Sequence, residues 1–526
     1  MGSSCVCSSK AQDVANSQIN QQIIQKTFKR KNNQEKKINN FLKTRALSMR
    51  SSIYISNRED IRSVYDFKET IGSGYSGKVR KVFLKANPSK EFVVKSISKD
   101  NLSLRQMNNL VKEVKLLSRL DHPNIIKYYE TYDDEEEFHI VMTYCTGGEL
   151  FDYLRDRGNL SEKETAKIIY QILHGIAHCH AKSIVHRDLK AENVLFESTS
   201  HERIKIIDFG LSKKIYAEHL HSLVGTAKYI SPELIKGDYN YKCDIWSIGI
   251  ICYLLLYGEY PFDDETNDKQ KIFNKILNEE PYYNDTLISQ KANDFIKHLL
   301  KKSADERYDA ETALKNEWLI EMIKNEFTLN LYNDLIISKL QQCIAPTSFI
   351  KILLSFIIKE IDINEIQNIR KQFYLLGDTG TGTINIKKYS SNMTPKMMAE
   401  GNEEILTGKN INLDDIYSDG LKSKRKSGCE DNTTFTTMNN MDYTSFVIAS
   451  LKNKNMLDEQ VIRNVFNRFD CDGVGVVTID DIDKGLRRIG KKYEREQIEK
   501  MLKESGFINI DNILFEDFYK VFNMYL

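Results

Sequence analysis

The sequence predicts an α+β chain made of a β-rich lobe, an α-rich lobe and then a separate all-α domain. Short runs rich in Val, Ile, Phe and Tyr crowd into the segment from 65 to 143, at 66–71, 78–84, 91–97 and 138–143. After Gly148 the apolar residues recur mostly at helical spacing as far as Trp318. From 366 to 526 helical patterns alternate with short loops. One helix interrupts the β-rich part at 107–120, with Leu110, Val114 and Leu117 on one face.

Bulk properties narrow the function. A length of 526 residues exceeds one ordinary domain, and a 41% hydrophobic content is enough to build packed cores. Lys and Arg total 75 against 74 for Asp and Glu, which excludes a nucleic-acid binder working through bulk charge. The 9 cysteines are scattered and form no zinc-like pairs, as in a chain held in a reducing cytoplasm. No apolar run reaches the 18 residues or so needed to cross a bilayer.

Residues 1–64 read as a basic, mobile tail. Gly2 follows the initial Met, with Cys5 and Cys7 close by, although Val6 stands where acylation signals usually carry Ser or Thr. Lys26, Lys29, Arg30, Lys31, Lys36 and Lys37 follow. One acyl chain binds a membrane marginally, and a second chain or a basic patch makes the attachment stable. The expectation is a cytoplasmic protein tied to a membrane through Gly2, Cys5 and Cys7.

Four motifs carry chemistry, in a fixed order. Gly72-Ser73-Gly74-Tyr75-Ser76-Gly77-Lys78-Val79 lies between two predicted strands, where glycines let the backbone approach a triphosphate closely. A dinucleotide-binding loop of similar spelling would be followed by a helix, whereas 78–84 reads as a strand. Phe92-Val93-Val94-Lys95 ends a strand in an ammonium suited to phosphate oxygens, with Glu113 on the following helix as its partner. In His186-Arg187-Asp188-Leu189-Lys190-Ala191-Glu192-Asn193, Asp188 can accept a hydroxyl proton, Lys190 can neutralise a γ-phosphate and Asn193 can hold a metal. Asp208-Phe209-Gly210 supplies the main Mg2+ ligand, Asp208.

Four such motifs in this order resemble a eukaryotic protein kinase over residues 65–321. The resemblance implies that ATP rests against Ile71, the glycine loop from Gly72 to Val79, Val93, Met142, Tyr144, Cys145, Glu149 and Leu195. Met142 falls at the gatekeeper position, with Thr143–Cys145 as the hinge. Ser231-Pro232-Glu233 stands where the family has Ala-Pro-Glu, and Glu233 would pair with Arg307. Lys190 and the Gly225-Thr226 pair are similar to the Ser/Thr class. Glu149 and Glu192 match positions that receive an upstream Arg of a protein substrate; the other reading is that they are solvated or touch the ribose. Ser222 is a candidate phosphosite in the activation segment 211–230, and Glu218 could stand in for the phosphate.

The last third carries an EF-hand frame. Asp470, Asp472, Gly475, Val477 and Asp481 take loop positions 1, 3, 6, 8 and 12, but Val474 replaces the oxygen ligand at 5 and Asp481 the Glu at 12. Weak Ca2+ binding is expected there. Spacing places three companion loops: 377–388, one ending at Ser445, and 506–517, all without ligand chemistry. A kinase, a helical junction at 322–365 and four such units, interrupted by a polar insertion at 399–437, are similar to the calcium-dependent protein kinase family. In that family the junction blocks the substrate cleft until calcium acts. The sequence therefore reads as a monomeric Ser/Thr kinase using ATP and Mg2+, controlled by a calmodulin-like domain whose calcium response is weak or lost. Two alternatives are a silent scaffold, which would have lost Lys95, Asp188 or Asp208, and a kinase whose C-terminal domain docks proteins rather than sensing calcium.

Overall fold

The computed structural model describes residues 60–74, 77–85, 87–100, 120–210, 212–214, 225–324, 367–377, 381–385, 440–451, 459–470, 473–489 and 493–525, together with 491 and single positions within 106–117 and 349–356. Gly2, Cys5, Cys7, the basic run, Tyr75, Ser76, Glu218, Ser222, the insertion 399–437 and Asp472 lie outside the described residues.

The first lobe is a five-stranded antiparallel sheet in the order β1-β2-β3-β5-β4. Its strands are β1 (Tyr65–Gly74), β2 (Gly77–Leu84), β3 (Asn87–Ser98), β4 (Tyr128–Asp133) and β5 (Glu137–Thr143). Four of these match the apolar runs in the sequence. The fifth, β4, was not expected, because Glu130, Thr131 and Asp133 break its apolar pattern. Glu130 is nevertheless buried, its Oε2 accepting from the hydroxyls of Tyr65 and Tyr132 at 2.9 and 2.8 Å. A buried polar residue is tolerated when its hydrogen bonds are made.

The second lobe is built on α1 (Glu162–Ala181) and α2 (Cys243–Tyr257). Ser161 and Glu164 form a capping box that fixes where α1 begins. The α2 helix is apolar all round and buried on nearly every face, as a core helix should be. The two-stranded pair β6 (Val194–Phe196) and β7 (Ile204–Ile206) packs beside α1.

The C-terminal module contains α3 (Gln367–Leu376), β8 (Ile384–Asn385), β9 (Asn440–Met441), α4 (Tyr443–Leu451), α5 (Glu459–Phe469), β10 (Val476–Val477), α6 (Ile479–Arg488), α7 (Arg495–Glu504), β11 (Ile513–Leu514) and α8 (Phe515–Tyr525). Ile384 pairs with Met441, and Val477 with Ile513. These are the eighth positions of the four loops, so the hands associate as two pairs. Phe373, Phe446, Phe466, Phe469, Phe518 and Phe522 form their shared core.

Phe349 and Phe356, from the expected junction, belong to this same core. They meet Phe507 and Phe469 with ring centroids 5.9 and 5.4 Å apart. The described junction residues therefore pack into the module.

The module seats on the kinase through buried polar contacts. Arg370 of α3 donates to both oxygens of Glu197, at 2.5 and 3.0 Å. Arg468 of α5 stands 3.4 Å from Oε1 of Glu130. The amide of Thr444 in α4 donates to Asp121 at 2.9 Å, and the hydroxyl of Tyr374 to Asn124 at 2.6 Å. Glu130 belongs to the β-rich lobe and Glu197 to the α-rich lobe, so the module touches both.

Candidate active site

The glycine loop is the hairpin joining β1 to β2, where Gly72 faces Val79 and Gly74 faces Gly77. Gly77 has φ +125°, and a Cβ there would lie 2.4 Å from the carbonyl oxygen of Ser96, so a side chain is excluded on two grounds. Across the sheet Val79 pairs with Lys95, which sets the ammonium under the loop. Lys95 Nζ lies 3.7 Å from Glu113 Oε1, and both side chains are largely buried. Burial pushes the Glu113 carboxyl upward; Lys95 opposes this and the charge of Asp208 adds to it.

The turn after α1 is held from below. The backbone amides of His186 and Arg187 donate to the two oxygens of the buried Asp244, each at 2.9 Å. Burial alone would raise the Asp244 carboxyl, but its bond to His180 and these amides keep it lower. Arg187 takes φ +70°, a left-handed conformation that a non-glycine residue adopts only when its surroundings hold it there.

Asp188 sits at the centre of a polar cluster. Its Oδ1 accepts from the hydroxyl of Thr226 at 3.0 Å, and its Oδ2 lies 3.6 Å from Lys190 Nζ. Lys190 also donates to Thr226 at 3.1 Å. The Asn193 amide nitrogen donates to the Asp188 carbonyl at 2.7 Å and to Oδ2 at 3.3 Å. Asn193 thus keeps its carbonyl oxygen as the atom suited to a hard cation. Asp208 has φ +59° and accepts the Gly210 amide at 3.2 Å. Among the described residues no group of three or more His, Cys, Asp and Glu could hold a metal on its own. Two oxygen donors fit Mg2+, which characteristically completes its shell with water and substrate phosphates.

The residues expected around adenine are mostly apolar. Val93 is buried, Met142 packs on the core, and Val79, Tyr144, Cys145 and Leu195 are half-buried. Ile71 is 45% exposed. Burial pushes the Cys145 thiol up to about 12. Glu149 pairs through its backbone with Leu195. Its carboxyl is raised by partial burial and by the charges of Asp152 and Glu192. Sequence reasoning missed Asp152, whose signal was its place one turn beyond Glu149. Glu192 accepts from the Tyr229 hydroxyl at 3.3 Å. Glu233 and Arg307 form the expected pair, bidentate at 2.7 and 2.9 Å.

In the third hand the described acids bond to their own loop. Asp470 accepts the amides of Val474 and Gly475, at 3.0 and 2.9 Å. Asp481 is engaged locally. Its Oδ2 accepts from the Thr478 amide and hydroxyl at 3.1 and 2.6 Å, and its Oδ1 from Lys484 at 3.1 Å. Of the expected ligands, Asp470 holds the loop turn and Asp481 caps α6. With Val474 at position 5, this donor set fits calcium poorly.

Residues 65–319 match the family model described as the protein kinase domain. Over 478 residues the chain is 32% identical to calcium-dependent protein kinase 5 of Plasmodium falciparum (isolate 3D7), covering 89% of this chain and 79% of that one. It is 29% identical to calcium-dependent protein kinase 33 of Arabidopsis thaliana over 467 residues, or 88% and 84% of the two chains. With CDPK-related kinase 1 of Arabidopsis thaliana it shares 37% identity over 344 residues, 62% of this chain and 58% of the relative.

Proposed function

The chain belongs to the calcium-dependent protein kinase family and is a protein Ser/Thr kinase using ATP and Mg2+, and from that premise we propose that Asp188, Lys190, Lys95, Asn193 and Asp208 carry the transfer. The observation that supports this most is the cluster joining Asp188, Lys190, Thr226 and Asn193. Asp188 accepts the hydroxyl proton of the substrate and orients the attacking oxygen. Lys190 meets the charge that develops on the transferred phosphoryl group. Lys95, steadied by Glu113, positions the phosphates from the opposite lobe. Asn193 and Asp208 would hold Mg2+, which when bound neutralises phosphate oxygens.

The protein substrates carry an Arg upstream of the target hydroxyl. Partial burial and the charges of Asp152 and Glu192 raise the cost of ionising Glu149, so an incoming guanidinium relieves that repulsion while forming charge-assisted bonds. In a peptide array, an upstream Arg is expected to raise kcat/KM by about 10- to 100-fold. Glu149→Gln should remove much of that preference, read as the ratio of kcat/KM between Arg-bearing and Arg-free peptides at saturating ATP. An array without any Arg preference discards this substrate class.

Calcium dependence is what the names of the relatives record. For this chain Val474 at position 5 and the shorter acid Asp481 at position 12 of the third hand support a weak response. Calorimetry on the full chain is expected to give a Kd no tighter than about 10⁻⁵ M, the weak end of the sensor range. Kinase activity should stay within about twofold between chelator and saturating calcium. A submicromolar Kd that disappears in Asp470→Ala overturns this.

A further inference from the structure

Three imidazoles stand where the C-terminal module meets the kinase. His122 lies in the turn before β4, and His174 and His178 lie on one face of α1, a turn apart. All three are buried, at 4%, 2% and 0% exposure. Ring centroids lie 5.3 Å apart for His122 and His178, and 6.4 Å for His122 and His174. The module covers them. Phe373 and Tyr374 of α3 stand 6.2 and 6.3 Å from the His122 ring, and Tyr374 lies 5.1 Å from the His174 ring. Gly382, at φ +60°, closes over His178; a Cβ there would lie 2.9 Å from the Cβ of His178.

The hydrogen bonds define which protonation state this packing accepts. His122 Nδ1 accepts the Asn124 amide at 3.2 Å, and His178 Nε2 accepts the Asp121 amide at 3.4 Å. Those nitrogens are the ones an added proton would occupy. Protonation turns each from acceptor to donor, aimed at another N–H. On the other side of each ring, His122 Nε2 and His174 Nε2 have no hydrogen-bond partner among the described residues, and His178 Nδ1 has only weakly placed backbone neighbours, Thr381 and Gly382. A charged imidazole at His122 or His174 would thus be buried with a hydrogen unmet, while at His178 the backbone of Thr381 and Gly382 favours the charged form and burial outweighs it.

The surrounding charges oppose protonation as well. Lys205 from β7 and Arg370 from α3 act on His122, and Lys182 acts on His178, with Asp121 the opposing anion. Burial is the first cause throughout, holding His174 down at about 3, His178 at about 4 and His122 well below its usual range.

We infer that the seam is a proton-operated latch: protonation of His122, His174 and His178 releases the C-terminal module from the kinase. The docked state binds fewer protons than the released one. Docking is therefore at full strength above the ordinary histidine range, near pH 6.5, and weakens as pH falls toward 4. The latch acts on docking whatever the module does to phosphotransfer, so its test is independent of the kinase reading.

The Thr444 amide provides a direct probe. It lies in the first turn of α4, where an N–H has no intrahelical acceptor, and its acceptor is Asp121 across the seam. Its hydrogen exchange in the full chain, corrected for intrinsic rates, reports the opening constant of the seam. Between pH 7.5 and 5.5 that constant is expected to rise about tenfold per histidine, or about a thousandfold for three. Amides inside α2 serve as the reference for global unfolding. His178→Gln and His122→Asn keep an acceptor without titrating, and His174→Phe suits the aromatic neighbours. Each should remove about one factor of ten from the rise. A flat wild-type profile overturns the latch, as does an acid response unchanged in all three variants. Should a variant not fold, the wild-type slope decides alone.

Discussion

Asp188→Asn is expected to lower turnover by about 10²- to 10⁴-fold, the range for removing a positioned general base. The substitution is nearly isosteric. Asn can still accept from Thr226 and sit beside Asn193, so the turn held by Asp244 should keep its shape. What disappears is the negative charge beside Lys190 and the ability to take the hydroxyl proton. On the proposed roles of Lys95 and the glycine loop in holding the phosphates from the other lobe, KM for ATP should change by no more than about twofold, leaving the loss in kcat. Initial-rate kinetics on a Ser peptide check this. Retention of more than about a tenth of the turnover would place the proton acceptor elsewhere. Asp208→Asn is distinguishable because it also raises the Mg2+ concentration needed for half-maximal rate.

The cluster of Asp188, Lys190 and Asn193 was legible because these residues fall in one ordered local motif. His186 to Asn193 is one turn, and its internal hydrogen bonds follow from its own spelling. The paired hands were legible for a similar reason, since a Gly and an apolar residue two apart fix the loop register that the Ile384–Met441 and Val477–Ile513 pairs display. The seam was not legible. Glu130 and Glu197 follow runs of β-forming residues and look like ordinary surface acids at strand ends, and their arginines lie 338 and 173 positions away. His122, His174 and His178 had no motif to mark them. Only the tertiary fold sets helix α1, the turn before β4 and the first hand against one another. The one local hint was an acid inside or next to an apolar stretch, which either lies at an edge or finds a buried cation.

Glu197→Gln tests how much that buried cation pairing contributes. The carboxylate is 2% exposed and faces three cations: Arg370 at 2.5 Å, Arg203 at 3.2 Å and Lys205 at 3.5 Å. Burial alone would push its carboxyl up, but Lys205, Arg370 and Arg203 outweigh this and hold it far below the carboxylate range. Lys205, itself buried, is drawn down to about 8. Neutralising Glu197 leaves these cations facing one another without their shared anion. Breaking a buried pair from one side costs about 3–5 kcal/mol, because the remaining charge stays desolvated. For a domain of this size that is a Tm lowered by roughly 6–20 °C. Arg370→Met should be milder, at about 1.5–3 kcal/mol, since Arg203 and Lys205 still serve the carboxylate and only charge-assisted bonds are lost. Thermal unfolding of the full chain checks both. If Arg370→Met proved as damaging as Glu197→Gln, the cost would lie in losing the module and not in stranding the cations. If neither moved Tm by more than about 2 °C, the Glu197 cluster would not be holding the seam.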